Sequence, residues 1–126
     1  MERWLLVFLG GGVGAMARFG LGLALYRPQA TWPLGTFAAN IVGGLLMGLL
    51  AGVLAYKGGA DQERWRLLLG VGVLGGFTTF SAFSLETALM IERKAFGQAA
   101  AYSLTSVLLS VAALFVGLML ARRVFA

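Results

Sequence analysis

From its first residues the chain alternates between long apolar runs and short polar links. The apolar runs cover 4–26, 33–56, 67–91 and 98–121, and RPQATW, KGGADQERWR and ERKAFG join them. At about 1.5 Å per residue, each run exceeds what an α-helix needs to cross a hydrocarbon core of about 30 Å. The pattern predicts an all-α membrane protein, with four transmembrane helices forming one domain over 1–126. The opening MERWLLVFLGGG has the look of a signal peptide. Its apolar stretch continues to about Tyr26 without a cleavage site, so it reads as the first span.

Composition agrees with the pattern. The chain is 60% hydrophobic and 12% charged, with mean hydropathy +0.87, whereas soluble domains carry about 25% charged residues. It has no cysteine and no histidine, which excludes thiol chemistry, disulfides and the usual zinc, copper and haem ligands. The net charge of +5 collects at segment ends, where basic side chains anchor loops to anionic headgroups, so nucleic acid is not an expected partner. Four spans place both termini on one side with Arg3, Lys57, Arg64, Arg66, Arg122 and Arg123, and Arg27, Arg93 and Lys94 on the other. This bias favours cytoplasmic termini. It is modest, because Glu2, Asp61 and Glu63 offset part of it, and insertion in both orientations stays open.

Small residues recur four apart at Gly10/Gly14, Gly44/Gly48/Gly52 and Gly72/Gly76. In lipid such stripes let helix backbones approach closely, within one chain or between two subunits. The polar residues inside the spans need more explanation. Arg18 lies in span one, where a central cation costs at least about 2.5 kcal/mol. It either snorkels to the interface or meets a carboxylate, helix-end carbonyls or an anion. Thr36 and Asn40 share a face of span two, and the asparagine amide offers N–H donors without net charge. In span four Tyr102, Ser106 and Ser110 stand at i, i+4 and i+8, the spacing of a polar track on one stripe. Because alternate spans reverse direction, Arg18, Asn40, Glu86 and Tyr102 fall in the same half of the membrane.

Span three carries the densest polar chemistry, GGFTTFSAFS, followed by Glu86. Glycine weakens a helix by roughly 1 kcal/mol relative to alanine, and the stretch around Gly75–Gly76 and Thr78–Thr79 predicts a break in the third helix. Backbone freed at that depth is tolerated only when buried in protein or lining a hydrated cavity or an ion site. Phe80 and Phe83, three apart, flank the same region.

Three motifs together resemble the Fluc/CrcB fluoride channels: GGVGAMARF at 11–19, GTFAANIVGG at 35–44 and GGFTTFSAFSLE at 75–86. The resemblance extends over essentially the whole chain. It implies an antiparallel dual-topology homodimer in a prokaryotic plasma or inner membrane, with two pores along the subunit interface that let fluoride leave the cytoplasm passively. It implies that Asn40 donates to fluoride and that Phe80 and Phe83 meet the ion through their ring edges. Tyr102, Ser106 and Ser110 would form the polar track, with Thr36 and Glu86 close to the pathway. The carbonyls of Gly75 and Thr78 would hold a structural sodium ion on the two-fold axis, and Arg18 would be a structural or vestibule residue. The alternative is a small four-span proton-coupled multidrug antiporter, which needs a central carboxylate in span one where this chain has Arg18. An enzyme is not expected, since no nucleophile–base pair or metal cluster is visible.

Overall fold

The computed structural model describes residues 1–57 and 59–125. They form four helical segments long and apolar enough to cross a membrane. Helix α1 (Glu2–Leu25) stops where Tyr26 turns extended, with φ −63° and ψ 129°. Pro28 disfavours helical geometry at the residue before it. The Arg27 guanidinium donates to the Ala24 and Tyr26 carbonyls at 3.3 and 2.9 Å, covering carbonyls that a helix end leaves open. Pro33 then opens α2 (Leu34–Lys57). Its ring presets the helical φ, and its carbonyl accepts from the Phe37 N–H at 3.0 Å.

The third span is built in pieces. A 3₁₀ turn (Gly59–Asp61) leads into α3 (Gln62–Trp65), which widens into a π-helical stretch, Arg66–Leu74. A short α4 (Gly75–Phe77) follows, Thr78 is extended with φ −88° and ψ 160°, and α5 runs Ser81–Glu92. Gly75 and Gly76 remain helical, so the backbone leaves helical geometry at Thr78. Helix α5 closes with Lys94 at φ 63°. The Lys94 and Ala95 N–H groups return to the Ile91 and Met90 carbonyls, both at 2.9 Å. This is the left-handed helix stop that glycine normally supplies. Helix α6 (Phe96–Phe125) is the longest uninterrupted helix among the described residues.

Two helix pairs carry most of the packing: α2 on α6, and α1 on the π-helical stretch and α4. Glycine makes both close. A methyl group at Gly48 would fall on the Leu114 carbonyl, 2.9 Å from its carbon and 3.1 Å from Cα. One at Gly14 would meet the Val73 carbonyl and stand 2.8 Å from the Phe77 nitrogen. Most large apolar side chains face outward, including Phe8, Phe19, Phe80 and Leu108, as expected where lipid or a second subunit is the solvent. The small core gathers Met90, Ala99 and Tyr102 against Trp32, Phe37 and Phe83.

Candidate functional site

The departure from helix in the third span is held by side chains. Asn40, on α2, accepts the Thr79 N–H on Oδ1 at 2.8 Å and donates Nδ2–H to the Thr79 carbonyl at 3.1 Å. A primary amide thus pairs with the N–H and C=O of one residue, bridging the two peptide groups that flank Thr79. Thr79 Oγ1 in turn accepts the Ala82 N–H at 3.1 Å in the first turn of α5. Arg18 Nε donates to the Gly76 carbonyl at 3.4 Å, so of the partners open to it this arginine takes a helix-end carbonyl. The consequence for Asn40 differs from the sequence expectation. Its oxygen and one N–H are engaged by the backbone, and one N–H is left for any ion.

Beside this stretch lies an open groove of ≈ 400 Å³ between α2, the third span and α6. Asn40, Thr78, Thr79, Ser106 and Ser110 supply its polar wall, and Phe80 and Phe83 supply an aromatic one. Phe80 is 78% exposed, and the two rings stand 5.8 Å apart at 47°. Ser106 is buried, and its Oγ has no hydrogen-bond partner. Buried hydroxyls normally find one; Ser106 belongs to the groove wall, but its Oγ is covered and lies near Tyr102.

Glu86 organises a second cluster. Thr36 Oγ1 donates to its Oε2 at 2.9 Å and the Tyr102 hydroxyl to its Oε1 at 3.0 Å. Tyr102 is fully buried among Trp32, Phe37 and Phe83, with ring centroids 5.7, 6.2 and 5.3 Å away. Phe83 therefore touches both clusters. A cavity of ≈ 430 Å³ opens beside Thr36 and Glu86, and Trp32, Arg27 and Arg93 line it too. Arg18 lies with Thr36 along a smaller cavity of ≈ 250 Å³.

The three hydroxyls of α6 do not form one wall. Ser106 and Ser110 line the groove, while Tyr102 turns its hydroxyl to Glu86. Spacing along a helix fixes where Cα atoms lie, and the length of a tyrosine carries its hydroxyl to another level. Ser103, off that stripe, pairs instead with Thr87 at 3.4 Å and ties α5 to α6. Sequence reasoning missed that pair and the accepting role of Thr79; a hydroxyl three residues before Ala82, at a helix start, was the signal for the latter.

Among the described residues, no three His, Cys, Asp or Glu side chains converge on a point where a metal ion could sit. Backbone is different. The donors that an unbroken helix would send to the Gly75 and Thr78 carbonyls are the Thr79 and Ala82 N–H groups, and both are engaged by side-chain oxygens. Neutral carbonyl oxygens of this kind suit a hard monovalent cation, so the donor set fits sodium.

Residues 5–118 match the protein family described as CrcB-like protein, Camphor Resistance (CrcB). The chain is similar to the fluoride-specific ion channel FluC of Phenylobacterium zucineum, at 70% identity covering 100% of both chains. It is also similar to the proteins of that name from Caulobacter sp. (strain K31), at 62% identity over 99% of this chain and 98% of the other, and from Novosphingobium aromaticivorans, at 57% over 94% of each.

Proposed function

The chain belongs to the CrcB family, and from that premise we propose that it is a fluoride-selective passive channel. Its working unit is an antiparallel dual-topology homodimer in a prokaryotic plasma or inner membrane. Two pores follow the subunit interface, and fluoride leaves the cytoplasm down its electrochemical gradient. The observation that carries the reading is the open groove, with Asn40, Ser106, Ser110 and an exposed phenyl ring along its wall. A groove open along its length is half a conduit, and a second copy is the natural other half.

The chemistry of the wall suits the ion. Fluoride is small and strongly hydrated, so a pore must replace water with donors or present a large desolvation barrier. A full positive charge in the wall would trap the ion. Neutral donors with weak multi-point contact let it leave. Asn40 contributes its remaining N–H, and Ser106 and Ser110 their hydroxyls. Phe80 and Phe83 contribute the positive edge of the aromatic quadrupole. Thr36, Glu86 and Tyr102 act at one end of the path. With both carboxylate oxygens accepting hydrogen bonds, Glu86 holds Tyr102 and, through its ring, Phe83 in place. Arg18 braces α1 against α4 by its bond to Gly76. The Gly75 and Thr78 carbonyls would hold a structural sodium ion on the two-fold axis, whose positive charge would fix the two subunits together.

The test is transport by the purified protein in vesicles. Phe80→Ile and Phe83→Ile should each lower fluoride flux by about tenfold or more with the dimer intact, since the edge contact is lost while the volume is kept. Unchanged flux in both would remove the aromatic role. Uptake of an aromatic cation driven by a proton gradient would favour the antiporter instead.

A further inference from the structure

In the broken stretch of the third span, two backbone donors take side-chain oxygens in place of helical carbonyls. In an uninterrupted α-helix the N–H of residue i+4 bonds the carbonyl of residue i. Thr79 would then serve Gly75, and Ala82 would serve Thr78. Helical bonding holds up to the Thr78 N–H, which goes to Leu74 at 3.0 Å, and resumes at the Ser84 N–H, which goes to Phe80 at 2.8 Å. The Thr79 N–H goes to Asn40 Oδ1 and the Ala82 N–H to Thr79 Oγ1. These two diverted donors are the ones that belong to the two carbonyls proposed above as cation ligands. Gly75 lies exposed on the surface of the chain and Thr78 lines the groove, so both can be reached from outside the protomer.

The geometry points to Asn40 and Thr79 as positioning residues that keep the Gly75 and Thr78 carbonyls available to a cation by taking their helical donors. The correspondence is one to one. The amide from α2 releases Gly75, and the threonine hydroxyl releases Thr78. Asn40 is suited because it also donates to the Thr79 carbonyl, which holds the peptide groups on both sides of the Thr79 Cα and keeps its N–H from swinging back. Carbonyl groups freed in mid-membrane without a partner are costly, so the same two side chains that release them make a cation the favourable occupant. The inference rests on the cation reading, and it assigns Asn40 a task besides any contact with fluoride.

The experiment follows thermal unfolding of the full chain in detergent by tryptophan fluorescence, with sodium titrated against N-methylglucamine at constant ionic strength. Wild-type protein should melt higher in sodium. Thr79→Val and Asn40→Leu should each raise the sodium concentration needed for half the effect by about tenfold, the weight of one net hydrogen bond competing for a carbonyl lone pair. Thr79→Ser, which keeps the hydroxyl, should behave as wild type. Hydrogen exchange on wild-type peptides spanning 79–82 provides a check that needs no variant to fold. These amides should not exchange faster when sodium is added, because neither has to leave a carbonyl. A sodium response in wild type with the same midpoint in Thr79→Val, or exchange at 79–82 accelerated by sodium, overturns this inference and leaves the cation reading standing. A wild type indifferent to sodium removes the cation reading, and this inference with it.

Discussion

Replacing Ser106 with alanine should separate stability from transport. Its hydroxyl is buried and meets no partner, and a buried polar atom left unsatisfied costs about 1–3 kcal/mol. Removing Oγ deletes that cost and only a small van der Waals volume. Unfolding in detergent without fluoride should therefore show Ser106→Ala as stable as wild type, or more stable by about 1 kcal/mol. Transport should move the other way. If the hydroxyl replaces part of the hydration of a passing anion, its loss removes a charge-assisted hydrogen bond worth about 1.5–3 kcal/mol at the barrier, or roughly 10- to 100-fold in flux. The assay pairs a melting curve with fluoride efflux from vesicles prepared with the same variant. A variant that loses stability but conducts normally would mean that Ser106 packs the helix pair and has no part in the pathway.

Other consequences are simpler. Lys94 holds the left-handed stop of α5, so Lys94→Gly should raise stability by up to about 1 kcal/mol in equilibrium unfolding. Gly48→Ala should lower it by roughly 1–3 kcal/mol, because the added methyl meets α6 backbone that cannot yield. Gly97→Ala, where the methyl meets nothing within 4 Å, should be neutral or slightly stabilising. Equal losses in both glycine variants would show that backbone approach is not what Gly48 provides.

The four spans were legible because nothing in water explains such apolar runs, and the structure has four helices of the required length and hydropathy. The glycine stripes were legible too: Gly10, Gly14, Gly48 and Gly76 each stand against another helix's backbone, since a spacing of four at about 3.6 residues per turn keeps small residues on one face. The widening at Arg66–Leu74 left no mark in the sequence, because the choice between i+4 and i+5 bonding is decided by what packs alongside. Arg18 is similar. Its position said that a partner was needed, and only the fold selected the Gly76 carbonyl. In α6 the spacing puts Ser106 and Ser110 on one stripe, and both line the groove, whereas the direction of the Tyr102 hydroxyl depends on Glu86 from another helix. Side chains that satisfy a neighbour's backbone, as Asn40 and Thr79 do, are the least visible in a sequence. Their partners are defined by a third dimension that composition and periodicity do not contain.

The central claim is that fluoride crosses the membrane past neutral donors in a groove closed by a second, inverted copy. The most direct measurement is parallel fluoride and chloride efflux from vesicles containing few protein copies each, after an outward counter-cation leak is opened with an ionophore. The account expects rapid fluoride release, negligible chloride release, and no requirement for a proton gradient. Vesicles bearing folded protein that hold their fluoride, or that release both halides alike, would contradict it.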